Sequence, residues 1–213
     1  CTVAANSSIP IAFHYQTTDP ATNQVTGTRD APTSIVAGAA QSFVLTVTPA
    51  APIASVDLAV SFRCDSASPA PTHAGLNTLL LSASASPAPD IVALAATLMG
   101  DGIVNVPGAG VFAVATVNLG AGGLITASAD TGGVPLPLAI ALCETNPATG
   151  ICLGPSGSGV TTQIDAGKTP TFGIFVARTG DVPFDPATNR IFVRFTDAGS
   201  VTRGATSVAV RTQ

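Results

Sequence analysis

The sequence predicts an all-β protein built as two tandem β-sandwich modules, on three observations. Ala, Val, Ile and Leu carry most of a 46% hydrophobic share, with Thr, Ser, Gly and Pro between them and only 9% of residues charged. That is the vocabulary of strands and turns. Helices need runs of Leu, Glu, Lys, Arg and Gln at a period of about 3.6, and a chain with one Lys and one Glu has no such run. Finally, the chain aligns on itself, and its 213 residues suffice for two domains that each bury a core.

IPIAFHYQTTDPATNQV, from Ile9, lies over LPLAIALCETNPATGIC, from Leu136. SIVAGAAQSFVLTV, from Ser34, matches QIDAGKTPTFGIFV, from Gln163, setting Gly38 against Gly167 and Phe43 against Phe172. VDLAVSFRCD, from Val56, matches RIFVRFTDAG, from Arg190, by its alternation, with Val60 opposite Val193 and Phe62 opposite Phe195. DPATN at 19–23 and NPATG at 146–150 hold one structural place, while a third copy, DPATN at 185–189, falls in a different loop. Asx at the first position bonds local backbone, Pro presets φ at the next, and Asn or Gly at the end tolerates a left-handed backbone. Reuse at a non-equivalent place marks a turn former, not a catalytic signature.

The elements follow in chain order. In a first module, 1–84, strands are predicted over 9–16, 41–48, 55–63 and 76–83, each an alternating or β-branched run bounded by Gly, Pro or Asx. ASPAPD at 85–90 reads as a short, Pro-rich linker. In a second module, 91–213, strands are predicted over 91–97, 111–118, 124–129, 137–143, 171–177, 190–196 and 201–210. Short strands at this spacing are the pattern of a sandwich.

The cysteines form an even set of four, and Cys143 and Cys152 bracket the turn in CETNPATGIC, a spacing that suits a bond across a tight loop. Cys1 and Cys64 remain. No Cys-x-x-Cys pair or nearby His suggests a metal site, so the disulfides Cys1–Cys64 and Cys143–Cys152 are expected. Gln16 and Val25 stand in the places of Cys143 and Cys152, and Cys64 falls opposite Asp197, so each module has its own bridge. Two disulfides place the protein in an oxidising compartment, extracellular or at the cell surface. The rival use of Cys1 is as the lipid-anchored first residue of a mature bacterial lipoprotein, which would leave Cys64 unpaired. A chain that opens at Cys1 without an initiator Met or signal peptide reads as a processed product or a fragment of something longer.

A net charge of −4 excludes a nucleic-acid partner, which demands clustered Lys and Arg. Six of the eight basic residues fall in the last 46 positions, but on separate predicted strands, as a solvated outer face would place them. No apolar run is long enough for a transmembrane segment.

The chain resembles the immunoglobulin-like tandem modules of secreted bacterial surface proteins. The paired turn motifs carry the resemblance, with GVFAVATVNLGAGGLITASADTGG from Gly110 and the closing FVRFTDAGSVTRGATSVAV from Phe192. It covers nearly the whole chain and implies immunoglobulin-like sandwiches serving adhesion, spacing or assembly, without a common site. Two departures stand out: there is no Trp to pack on a bridge, and the Cys143–Cys152 spacing suits a hairpin rather than an inter-sheet bond.

Chemistry is sparse. A Ser-His-Asp or Cys-His arrangement needs a His to move protons, and only His14, within a predicted strand, and His73, in a Pro- and Ser-rich loop, are available. No cofactor is implied. Calcium is the best inorganic candidate, with Asp181, Asp185 and Asn189 offering oxygens from one loop and Asp57, Asp65 or Asp90 others near the linker. A carbohydrate-binding module would present flat aromatics, and here there is one Tyr, Tyr15, and Phe residues that mostly alternate inward. Phe192 is the exception: with Ile191, Val193 and Phe195 in the core, Arg190, Phe192 and Arg194 share an outer face suited to an interface.

These features point to a non-catalytic, extracellular structural protein of surface assembly or adhesion; the alternative is a non-catalytic carbohydrate-binding module. The strands at 91–97 and 111–118 precede the part that aligns with the first module, which therefore has no counterpart to them. An incomplete sandwich exposes a sheet edge and apolar core. Residues upstream of Cys1, a simpler sandwich, or a strand or face from a neighbouring molecule would each account for it. A mean hydropathy of +0.48 and the scarcity of charge favour the protein partner, self or a larger surface complex.

Overall fold

A computed structural model describes residues 1–6, 8–65 and 67–212. Among the described residues there are fourteen strands and no helix, so the chain is all-β. It divides into two compact units, Cys1–Ala85 and Ser86–Gln213.

The first unit contains β1 (Thr2–Asn6), β2 (Ile11–Thr18), β3 (Ser42–Pro49), β4 (Ile53–Arg63) and β5 (Thr78–Ala83). They form a three-stranded sheet, β1-β4-β5, and a two-stranded sheet, β2-β3. Every pair is antiparallel. Val3, Tyr15 and Val60 make a small core, with Phe13, Phe43 and Leu45 packed against it. The Cys1–Cys64 disulfide joins the ends of β1 and β4, beside the pair Thr2 and Arg63. This bridge and a lipid thioether are alternative uses of one sulfur, and the structure shows the bridge.

The second unit contains β6 (Ile91–Ala96), β7 (Ile103–Asn105), β8 (Ala109–Asn118), β9 (Gly123–Asp130), β10 (Leu138–Thr145), β11 (Gly159–Ile164), β12 (Thr171–Arg178), β13 (Arg190–Asp197) and β14 (Thr202–Arg211). One sheet runs β10-β12-β8-β6 and the other β11-β9-β13-β14-β7. The core between them draws Phe112, Val114, Phe172 and Ile174 from the first sheet and Ile125, Ile191, Val193 and Phe195 from the second. The two sheets close on each other tightly at one point. A Cβ on Gly204 of β14 would lie 2.0 Å from the Ile91 carbonyl oxygen of β6, so only glycine permits that approach. Of the Pro-rich stretch expected as a linker, the last part is tied into this unit. Ala88 O accepts from Ala121 N (2.9 Å), and Asp90 N donates to Asn118 Oδ1 (3.0 Å).

The five strands of the first unit recur in the second with the same neighbours: β1-β4-β5 matches β9-β13-β14, and β2-β3 matches β10-β12. The turns match in their closing bonds. Asp19 Oδ1 accepts from Ala21 N (2.9 Å) and Asn146 Oδ1 from Ala148 N (2.9 Å). Asn23 N bonds Asp19 O and Gly150 N bonds Asn146 O, each at 2.8 Å. Asn23 and Gly150 are both left-handed, with φ of 58° and 70°. The third copy opens alike, with Ala187 N on Asp185 Oδ1 (3.2 Å), but Asn189 is not among the left-handed residues. Gly38 and Gly167, also aligned in the sequence, are left-handed too.

Candidate functional site: an apolar sheet face

An antiparallel sheet with one face in water ordinarily alternates apolar and polar residues. The β10-β12-β8-β6 sheet does not. Its inner positions fill the core, and its outer positions are also apolar. On β6 these are Val92, Leu94 and Ala96, and on β8 they are Val111, Ala113, Ala115 and Val117. The neighbouring strand β12 adds Gly173, Phe175 and Ala177, and β10 adds Ala139 and Ala141. The register sets them side by side, with Leu94 opposite Ala115, Phe175 opposite both Val111 and Ala141, and Ala177 opposite both Ala109 and Ala139. The outer hydroxyls of Thr145 and Thr171 bond each other (2.7 Å). No outer position of these four strands carries a charge.

The face is open. Leu94 is 71% exposed, Val111 54% and Phe175 41%, and Leu98 beyond the end of β6 reaches 92%. A groove of about 530 Å³ lies over residues 109–111, 139–141 and 175–177. A second, of about 290 Å³, runs between Leu98, Ala113, Thr145 and Phe175. Neither is lined by a titratable side chain. From strand spacing and rise the face covers roughly 500 Å².

The first unit supplies an internal comparison, because β2-β3 is the counterpart of β10-β12. Its outer positions hold Ala12, His14 and Gln16 beside Val44, Thr46 and Thr48. His14 Nδ1 bonds Asp30 Oδ2 (2.7 Å), and Asp30 Oδ1 accepts from Tyr15 N (3.0 Å). The Tyr15 amide, and after it the His14 hydrogen bond, lower the Asp30 carboxyl from its ordinary value. Gln16 Nε2 donates to the Gly27 carbonyl. The fold thus accepts polar and charged groups where the second unit carries Ala141, Cys143 and Phe175.

The residues singled out in the sequence fall elsewhere. Ile191, Val193 and Phe195 are in the core, which leaves Arg190, Phe192 and Arg194 on the other side of β13. Arg194 stacks over Phe192, with its guanidinium carbon 5.0 Å from the ring centroid, and bonds Asp130 Oδ2 (2.8 Å). Arg190 departs from the interface expectation because it is buried. Its guanidinium donates to Ser207 Oγ (3.0 Å), Pro186 O (2.6 Å) and Ser207 O (3.2 Å), and burial lowers its pKa without discharging it. It pins the third DPATN turn to β14.

The calcium candidates are likewise engaged. Asp181 pairs with Arg178, Asp185 holds its own turn, and Asn189 Nδ2 donates to Pro183 O (2.9 Å). Among the described residues no three His, Cys, Asp or Glu side chains gather as a metal group would. Tyr15 is buried, and the Cys143–Cys152 disulfide clasps the 146–150 turn to β10.

No family model and no curated protein matches the chain. Among solved structures it is similar to a variant of the major pilin subunit of Bacillus cereus, BcpA, at 15% identity and a TM-score of 0.31, covering 97% of this chain and 66% of that one. It is similar to the BcpA subunit itself at 12% identity and a TM-score of 0.29, covering 99% of this chain and 69% of that one. The chain thus spans 66% and 69% of those proteins' lengths.

Proposed function

We propose that this is a non-catalytic, extracellular or cell-surface structural protein of two immunoglobulin-like modules that self-associates through the outer face of the β10-β12-β8-β6 sheet. The observation that carries the reading is the contrast between equivalent faces, polar in the first unit and apolar in the second. A flat, uncharged, apolar face suits the like face of a second copy, since two sheets pack about 10 Å apart with interdigitating side chains. Burying it on two copies removes roughly 1,000 Å² from water, at the lower limit for a specific interface. Weak, concentration-dependent assembly follows, as suits surface adhesion or spacing. The two disulfides fit the oxidising compartment. The 530 Å³ groove has no polar side chain to orient a sugar, and the 290 Å³ groove has only the hydroxyls of Thr97 and Thr145, already bonded to Asp101 and Gly102 and to Thr171, which disfavours a carbohydrate module.

Sedimentation velocity on the full chain up to about 100 μM, a range in which an interface near that lower size limit is populated, tests the reading. The expected result is reversible association that the double substitution Leu94→Lys, Phe175→Lys abolishes while leaving the melting temperature within a few degrees. A stable monomer that binds no hydrophobic dye sinks the reading, as does saturable micromolar binding to a defined sugar on a glycan array.

A further inference from the structure

We infer that the free edge of β3 in the first unit is an acceptor for one further β-strand: an extended, uncharged segment with apolar residues at alternate positions, running antiparallel to β3. The second unit shows what that place holds when filled. There β12, the counterpart of β3, pairs on one side with β10 and on the other with β8. Among the described residues β3 pairs with β2 alone.

The vacancy reaches into the core. Phe172 and Phe195 touch across the second sandwich, ring centroids 5.3 Å apart, and both are wholly buried. Val114 of β8 sits directly opposite Phe172, and Phe112 opposite Ile174. The aligned pair of the first unit, Phe43 and Phe62, touches in the same way at 6.1 Å, yet Phe62 is 45% exposed. A strand beside β3 with an apolar residue opposite Phe43 and another opposite Leu45 supplies what Val114 and Phe112 supply in the second unit.

The two edges of the β2-β3 sheet are treated differently. The β2 edge is guarded by the following loop: Asp30 N donates to Tyr15 O (2.8 Å), Asp30 Oδ1 accepts from Tyr15 N, and Thr26 N donates to Thr17 O (2.9 Å). The β3 sequence SFVLTVTP has no charged residue, and its register with β2 runs from Ser42 to Pro49 without a shift. Edges left open usually carry a charge, a bulge or a proline that discourages pairing, and the proline of β3, Pro49, stands at its last position, beyond Phe43 and Leu45. A second copy's β8 cannot be the donor, because it is already paired on both sides, with β6 and β12.

The test uses the full chain carrying Leu94→Lys and Phe175→Lys, so that the apolar face of the second unit does not compete. The probe is a synthetic peptide of the Ala109–Asn118 sequence, AGVFAVATVN, between solubilising lysines. Expected are saturable binding, hydrogen-exchange protection confined to the 42–49 segment, and a rise of the lower thermal transition with peptide concentration. A peptide with Ser in place of the residues matching Phe112 and Val114 should bind at least about tenfold more weakly. So should the original peptide to a chain carrying Phe62→Ser, once calorimetry shows that this chain keeps its lower thermal transition. Failure to bind, equal affinity for the Ser peptide, protection outside 42–49, or dimerisation through 42–49 without peptide would each overturn the inference. None of these outcomes bears on self-association through the second unit.

Discussion

Asn118, at the end of β8, is fully buried and has all four of its side-chain hydrogen bonds made. Its Nδ2 donates to Ala121 O (2.8 Å) and Ile164 O (2.9 Å), and its Oδ1 accepts from Asp90 N and Gly120 N, both at 3.0 Å. One side chain thereby ties the entry to β6, the β8-β9 turn and the end of β11. Asn118→Ala strands those backbone groups away from water, and urea unfolding should show the second unit destabilised by about 3 kcal/mol. Asp197 is the matching case for charge. Burial would raise its carboxyl, but the Val201 amide, the Arg203 guanidinium (2.6 Å) and the Gly199 amide outweigh that and leave it lowered. A carboxyl lowered in the fold stabilises it above the ordinary carboxylate pKa, and that contribution is lost as pH falls through the folded value. Thermal melts should therefore show the second unit level from neutrality to pH ~5 and weakening below pH ~4. Asp197→Asn should be less stable at neutrality and flatter in acid.

At the scale of the element, the turns were legible because their chemistry is local. Asx, Pro and a left-handed residue act within five positions, so the two aligned copies in the sequence became the same turn. Three strands were not legible. TVAAN of β1 is too short and Ala-rich to alternate, IVN of β7 has three residues, and GVTTQI of β11 follows a Gly- and Ser-rich stretch. The apolar face was hidden for a related reason. GVFAVATVN is apolar at both parities, and period alone cannot say which side meets water. The signal that would have found it is Ala141, Cys143 and Phe175 of β10 and β12, set against the polar His14, Gln16 and Thr46 of the aligned strands, with the run of Val and Ala at the odd positions of β8 beside them. Arg190 was misplaced because its partners, Ser207 and Pro186, come from another strand and a loop. The equivalence of the turns also makes a prediction. Thr18 bridges to Val25 as Thr145 does to Cys152, so Gln16→Cys with Val25→Cys should form the bridge that the first unit lacks. Closing a loop of nine residues stabilises by roughly 2.5 kcal/mol, less the lost hydrogen bond of Gln16 to Gly27. Mass mapping without reductant and a rise in the lower melting transition are the checks.

For the whole molecule, the two units should respond differently to heat and to reduction. The second buries a broad core drawn from both its sheets, while the first has three buried residues in its central cluster, with Phe13, Phe43 and Leu45 only partly covered. With apolar burial worth about 25 cal/mol per Å², the thinner core leaves the first unit closer to the balance point. Its disulfide then carries a larger part of its stability. Cys1–Cys64 spans 63 residues and constrains the unfolded chain by about 4 kcal/mol on loop-closure grounds, against about 2.5 kcal/mol for the nine-residue span of Cys143–Cys152. Scanning calorimetry of the full chain should therefore resolve two transitions. Reductant should lower the first far more than the second, or remove it altogether. A single cooperative transition with equal calorimetric and van't Hoff enthalpies would show instead that the units unfold as one. An equal shift of both transitions on reduction would show that the Cys1–Cys64 loop is not what holds the thinner sandwich together.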